Sequence, residues 1–305
     1  MVGTCVSVCP EPDGVAVASV KRDQTGRAVL QQAAFHSCSS PEDCRHYLEQ
    51  TVRKEHLQHS LCVAVLPADS YQLMQVDATE IPEAERRDAV RWQISERLDY
   101  PAENAVIDLF EIAPFGGERK PVLYAVSAQK NILRDQIKMS GESNLELTSI
   151  DIPEFSLRNI CELFTEDDRG LAILLLLERS GVLVIVRDGT LYLVRWFSTG
   201  MDDLLALAEG DDELLTEQLD TVVLEIQRSF DYCESNFQLP LVSRLLVAQT
   251  QREIPAVVSY LNDYLGTTVE AFSFEHILDV PETSQQLQLN RCLFAIGGAL
   301  RRENI

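Results

Sequence analysis

The chain is short of basic charge. Its 305 residues carry 26 Lys+Arg against 48 Asp+Glu, a formal net charge of −22. Phosphate backbones are bound by clustered Lys and Arg, so this balance excludes nucleic acid as a main partner. It also excludes docking on anionic lipid through a polybasic segment. Long apolar runs are absent. The longest is Leu171–Leu177, against the roughly 20 residues of a membrane helix. Met1-Val-Gly-Thr-Cys5 shows no basic stretch leading into an apolar one, so no signal peptide is read there. These absences predict a cytoplasmic protein with no direct membrane insertion. Glycine and proline are sparse, at 14 and 12, which excludes collagen-like and low-complexity chains. The 46% of apolar residues suffices for a packed core, and the length suits roughly two domains.

Cysteine is present but unorganised. The eight lie at positions 5, 9, 38, 44, 62, 161, 233 and 292, several inside apolar patterns such as Leu61-Cys-Val63 and Cys292-Leu-Phe294. That pattern predicts free, buried thiols in a reducing compartment and no disulfide framework. His36-Ser-Cys38 and Cys44-Arg-His46 bring zinc-type ligands close in sequence. Their spacing matches no common finger, and one pair ends a strand while the other starts a helix. The expectation is a chance cluster and no metal. No Walker A loop, Gly-x-Ser-x-Gly elbow or His-Glu-x-x-His motif occurs.

What is present is a repeated layout. Thr4–Val8, Val15–Val20 and Arg27–Phe35 read as a three-stranded meander around the turns Pro10–Gly14 and Gln24–Gly26. Ser39 and Ser40 before Pro41-Glu-Asp43 are a helix start, with a hydroxyl cap, Pro in the first turn and acids near the positive end. That helix runs to about His56, and a strand, Leu61–Leu66, ends at Pro67. In the second half, Leu171–Leu177, Gly181–Arg187 and Leu191–Phe197 form another meander, with the hairpin turn Asp188-Gly189. A helix follows, with Leu215, Leu219, Val222, Ile226, Cys233 and Phe237 on one face, and then a strand at Arg244–Val247. This is a duplicated βββαβ unit. The acids Glu209–Glu213 read as the solvated start of that helix rather than a calcium loop.

Between the first unit and its closing helix (Lys130–Ser140) and strand (Leu145–Ile150), residues 67–127 differ in character. Tyr71–Val76, Ala105–Ile112 and Val122–Ser127 read as strands around one helix, Pro82–Leu98, with Pro114–Glu118 as a hairpin loop. The predicted fold class is therefore α/β: an actin-like (ribonuclease H-like) duplication of two βββαβ-type halves, with a small αβ insertion in the first. The expected divisions are 1–150 with the insertion at about 67–127, 151–289, and a C-terminal helix within 290–305 that packs back on the core. That last helix, Asn290–Arg302, carries Gly297-Gly298 for close packing.

Several segments then resemble the PilM family of type IV pilus assembly, in its mannose-sensitive haemagglutinin (MshI) branch. They are Ile81-Pro-Glu83 with Ala89-Val-Arg-Trp-Gln-Ile94 and Tyr100-Pro101; Ile150-Asp-Ile-Pro153; Arg195-Trp-Phe-Ser-Thr-Gly200; Glu225-Ile-Gln-Arg-Ser-Phe-Asp-Tyr232; and Phe294-Ala-Ile-Gly-Gly-Ala-Leu-Arg301. The resemblance runs from about residue 80 onward and rests on their order. It implies an actin-like fold on the cytoplasmic side of the inner membrane. It also implies that a groove of the first half, formed with the insertion, holds the N-terminal tail of a bitopic PilN- or MshJ-like protein, with the assembly ATPase as a second partner. The cytoplasmic domain of the secretion protein GspL is a relative, but it carries a membrane span that this chain lacks.

The family's ATP site uses Asp-x-Gly hairpins in both halves and a glycine-rich adenine loop. Here the first hairpin is Cys9-Pro-Glu-Pro-Asp-Gly14, where two prolines offer no N–H and two acids repel phosphate. The second is Leu177-Glu-Arg-Ser-Gly181, without the Asp, and Ala248–Glu253 contains no glycine. The expectation is an adaptor with no cofactor and no enzymatic activity. The alternative is a nucleotide-regulated actin-like ATPase of pilus or type II secretion machinery.

One aromatic stands apart. On the insertion helix Val90, Ile94 and Leu98 form the apolar face, and Trp92 lies about 200° round from Val90. It shares its face with Glu85, Asp88, Glu96 and Asp99. Trp92, Asp88 and Glu96 are the candidate partner-binding residues. The competing expectation is that a neighbouring strand or loop covers Trp92.

Overall fold

Two five-stranded sheets of one design organise the chain. The computed structural model describes residues 3–77, 80–115, 121–164, 170–210, 212–240, 242–275 and 277–302. In the first sheet β1 (Thr4–Glu11), β2 (Gly14–Arg22) and β3 (Ala28–Ser37) form an antiparallel meander. Helix α1 (Pro41–Lys54) follows, and β4 (Leu61–Val65) returns parallel to β1. The start of α1 is as the sequence predicts: Ser40 Oγ accepts the Asp43 N–H at 3.2 Å, and Pro41 occupies the first turn.

The insertion comes next. It consists of β5 (Tyr71–Val76), α2 (Glu83–Ile94), β6 (Ala105–Ile112) and β7 (Val122–Gln129), with an antiparallel sheet in the order β5-β7-β6. Residues 116–118 of the predicted hairpin loop lie outside the described residues. Helix α3 (Lys130–Glu142) leads to β8 (Glu146–Asp151), which pairs parallel to β4 and completes the order β3-β2-β1-β4-β8.

Helix α4 (Pro153–Cys161) crosses to the second half. There β9 (Leu171–Leu176), β10 (Gly181–Arg187) and β11 (Thr190–Phe197) repeat the meander. Its second turn places Asp188 at φ 48° and Gly189 at φ 71°, the left-handed pair a tight hairpin needs. Helices α5 (Met201–Ala208) and α6 (Asp212–Phe237) precede β12 (Arg244–Gln249); α7 (Pro255–Tyr264) precedes β13 (Thr268–Ala271). The order β11-β10-β9-β12-β13, with the last two joins parallel, reproduces the first sheet. The chain closes with α8 (Gln286–Arg291) and α9 (Leu293–Ala299).

The layers follow from burial. β9 is buried at every residue, because both faces of the second sheet are covered. One face packs with α4 and α9 against the first sheet, through residues such as Ala16, Leu157, Ile173 and Ile296. The other face packs on α5, α6 and α7. The outer face of the first sheet rests on Leu48 and Val52 of α1. Close approach at the centre requires glycine: a Cβ on Gly297 would lie 2.1 Å from Ser156 O, and one on Gly298 2.3 Å from Ser7 Oγ.

Three expectations are corrected. Cys38 and Cys44 are joined by a disulfide, their Cα atoms 5.4 Å apart. The expectation of free thiols and no disulfide framework followed the apolar patterns that most cysteines sit in, and missed that the capping turn folds the start of α1 back onto the end of β3. Cys9, Cys62, Cys161, Cys233 and Cys292 are buried thiols, and Cys5 is a half-buried one. The predicted helix Asn290–Arg302 is instead two short helices broken at Cys292. The unit also has a further helix and strand in the second half, α7 and β13, which the repeat as read did not contain.

Candidate functional site

A cavity of about 410 Å³ opens where the two halves face each other. Both first hairpins line it, Cys9–Asp13 from the first sheet and Leu177–Ser180 from the second. Pro153 and Trp196 contribute to its wall, with Arg291 and Phe294 from the closing helices. The duplication places the hairpins opposite one another, since each joins the first two strands of its own meander.

Two arginines, Arg179 and Arg291, line this cleft, and Arg291 is held by acids of the cleft. Its guanidinium donates to the Glu11 carboxylate and, at 2.7 Å, to Asp13 Oδ1, and it lies 4.0 Å over the Phe35 ring. Burial pushes the Glu11 carboxyl up to about 7, and the Arg291 charge offsets only part of that cost. Behind this knot sits Glu154, 1% exposed. It accepts the Tyr71 O–H at 2.6 Å and the Trp196 indole N–H at 3.0 Å. Burial raises its carboxyl as well. One carboxylate thus ties the insertion (β5), the crossing (α4) and the second half (β11).

The residues do not fit a nucleotide phosphate. Helix N-termini bind phosphate through free amides, and here those amides are occupied. The Met201 and Asp202 N–H groups of α5 donate to Leu177 O at 2.7 Å and Glu178 O at 2.9 Å. A Cβ at Gly200 would lie 2.3 Å from Glu178 O, so that turn is packed shut. At α1 the Asp43 N–H donates to Ser40 Oγ, and the Ser39 N–H just before the helix donates to Asp43 Oδ2. Glu11, Asp13, Asp69 and Glu178 line the cavity beside Arg179 and Arg291, and Arg291 is engaged by Glu11 and Asp13. The loop after β12 is equally closed. Thr250 donates through N and Oγ1 to Leu176 O, Gln249 Oε1 accepts the Ile254 N–H, and Asn290 Nδ2 donates to Gln249 O.

The sequence-predicted residues separate into two places. Asp88, Trp92 and Glu96 lie on the outer face of α2 and the turn after it, away from the cleft, and Trp92 is 85% exposed. The expectation that a strand or loop covers Trp92 is not met among the described residues. Val90 and Ile94 pack on the insertion sheet instead, which turns Trp92 outward. The cleft residues Glu154 and Arg291 were not singled out in the sequence. Arg291 meets Glu11 across 280 positions, so no local signal could have found it. Trp196 and Glu225 lie in two segments that were singled out. The structure joins those segments through Arg195 and Glu225 at 3.0 Å.

His36, Cys38, Cys44 and His46 do not form a ligand set. The cysteines are bonded to each other, His36 stacks on Tyr47 at 4.0 Å, and His46 pairs with Gln50. Among the described residues no group of three or more His, Cys, Asp or Glu is placed to hold a metal ion. None of their helices is long and apolar enough to cross a membrane.

No protein-family model and no curated protein sequence matches the chain. Solved structures do. The structure described as a PilM-PilN type IV pilus biogenesis complex superposes with a TM-score of 0.70 at 19% identity, over 97% of this chain and 97% of that one. A Bacteroides thetaiotaomicron protein of actin-like ATPase fold and unknown function superposes at 0.51 with 8% identity, over 95% of each chain. The cytoplasmic domain of EpsL, an inner-membrane component of the Vibrio cholerae type II secretion system, superposes at 0.49 with 8% identity, over 95% of this chain and 94% of that one. The fold is actin-like, as the duplication predicts.

Proposed function

We propose that the chain is a non-enzymatic adaptor of a type IV pilus assembly platform, in the mannose-sensitive haemagglutinin (MshI) branch. It holds the N-terminal cytoplasmic tail of a bitopic inner-membrane protein of the PilN or MshJ type. The observation that carries this reading is the end-to-end likeness to the chain of a PilM-PilN complex. The cleft supports the nucleotide-free part of it, because the α5 amides and Arg291 are already engaged and four acids share its lining. On this reading the protein works in the cytoplasm, is recruited to the inner membrane, and meets the assembly ATPase as a second partner. Residues 1–150, with the insertion at about 67–127, form the tail-binding unit, and 151–289 with the closing 290–305 form its support.

The tail lies extended in the groove formed with the insertion, and a net charge of −22 steers a basic juxtamembrane segment toward it. Trp92, with Asp88 and Glu96 beside it, is the anchor. A large aromatic left 85% exposed costs apolar hydration that a partner would relieve. The test is fluorescence anisotropy with a labelled peptide of the tail, beside a calorimetric titration with Mg-ATP. Saturable peptide binding, weakened about tenfold or more by Trp92→Ala, is expected together with a flat ATP trace. Absence of peptide binding to folded protein overturns the adaptor. Saturable ATP binding overturns its nucleotide independence and restores the ATPase reading.

A further inference from the structure

We propose that Cys38 and Cys44 form a reversible thiol–disulfide exchange site, with low-molecular-weight thiols of the glutathione class as its redox partner, and that its state is transmitted to the cleft between the halves. The cysteines differ in whether a solute can reach them. Cys9, Cys62, Cys161, Cys233 and Cys292 are buried, and burial pushes each of those thiols above its ordinary value. Such thiols are poor nucleophiles and inaccessible. Cys38 and Cys44 are only half-buried, and both face a surface cavity of about 660 Å³ beside α1 and α3. They are separated by six positions, and their Cα atoms lie 5.4 Å apart across the Ser40-capped turn into α1, within bonding range. Cys5 is half-buried too but has no second cysteine bonded to it, so Cys38 and Cys44 are the accessible pair, the pattern of an exchanging pair rather than of a disulfide framework.

The exchange balances with one glutathione disulfide. A thiolate of the pair attacks one of its sulfurs, forming a mixed disulfide and releasing one glutathione thiolate. The second thiolate of the pair then attacks the protein-bound sulfur, forming the Cys38–Cys44 bond and releasing the other glutathione thiolate. Two electrons pass from the dithiol to glutathione, and the two thiol protons go to solvent.

The bond also has a path to the cleft. The Cys38 N–H donates to Asp13 O at 3.0 Å, and Asp13 Oδ1 accepts from Arg291 at 2.7 Å. The backbone just before it is fixed too, because Gly14 pairs with Ser37 and has no room for a Cβ against His36 O. Releasing the disulfide therefore frees the connection between β3 and α1, which holds the hairpin that grips Arg291. This inference does not depend on the pilus reading.

The test uses the full chain equilibrated in glutathione buffers of graded ratio, quenched in acid, alkylated and mapped by mass spectrometry. Expected is reversible protection of two of the eight thiols, at Cys38 and Cys44, moving with the ratio. Cys38→Ser and Cys44→Ser should each trap a mixed disulfide on the remaining cysteine. Hydrogen exchange of the hairpin around Asp13 should quicken several-fold in the reduced protein and in both variants. A bond that survives millimolar reduced glutathione overturns reversibility, and free thiols under oxidised glutathione overturn the site. Hairpin exchange that is the same in both redox states overturns the transmission to the cleft.

Discussion

Arg291 lines the cleft between the two facing hairpins, and it is held by the chain's own acids. Its side chain and that of Glu11 are 12% and 11% exposed. Breaking such a pair leaves a buried charge without its partner, which costs about 3–5 kcal/mol. Arg291→Met should therefore lower unfolding stability by that order in urea melts. Adding Glu11→Gln should recover part of the loss above pH 7, where the orphaned carboxyl must otherwise ionise unpaired or take up a proton. Recovery in the double variant separates an electrostatic knot from simple packing by the arginine stem. Half of this knot is legible in the sequence. Glu11 and Asp13 stand out as acids between the prolines of the first hairpin, while their partner comes from the far end of the chain. At the centre the requirement is steric: Gly297→Val would drive side-chain atoms into the Ser156 backbone. We expect a loss of about 3 kcal/mol or more by thermal melt, at the upper end of overpacking costs, because backbone rather than a flexible side chain is in the way.

At the scale of elements, α2 separates packing from exposure on a single helix. Ile94 is fully buried in the insertion core and Trp92 projects outward. Ile94→Ala should cost about 2–5 kcal/mol, and Trp92→Ala should stay within about 0.5 kcal/mol. Urea melts of the two variants check this, and a large loss for Trp92→Ala would mean that the tryptophan supports the fold rather than a partner. The helical period made α2 and α6 legible in the sequence because each has one buried face. It failed for α4, where Pro153, Glu154, Ser156, Leu157, Asn159 and Ile160 are all buried between the two sheets. A helix covered on every side has no polar stripe to read. It failed for β13 for the opposite reason: among its four residues only Val269 is buried, so no alternation exists. The meanders read correctly because their turn residues are specific and their strands long. The disulfide was missed because it depends on how a strand end meets a helix cap, which no apolar pattern encodes.

The whole molecule carries its acids in a way that sets its pH dependence. Glu11 is raised to about 7 from an ordinary 4.5, chiefly by burial, and Glu154 is raised by burial too. A carboxyl raised in the folded state binds its proton more tightly there than in the unfolded chain. Its contribution is therefore fully present below about 4.5 and is lost as pH rises through about 7. For Glu11 alone the span corresponds to about 3 kcal/mol at most. The net charge of −22 acts in the same direction, because protonation relieves self-repulsion of the compact state. The depressed carboxyls of Asp23, Asp43 and Glu225, held down mainly by hydrogen bonds, pull the other way only as pH falls below their ordinary 3.8–4.5. Stability measured by urea unfolding should thus decline steadily between pH 5 and pH 7.5. Glu11→Gln should flatten that decline without removing it, since Glu154 and the general repulsion persist. An unchanged slope in Glu11→Gln would mean that the cleft carboxylate is ionised throughout this range. The Arg291 pair would then be a fully charged clamp between the halves at every pH the protein meets.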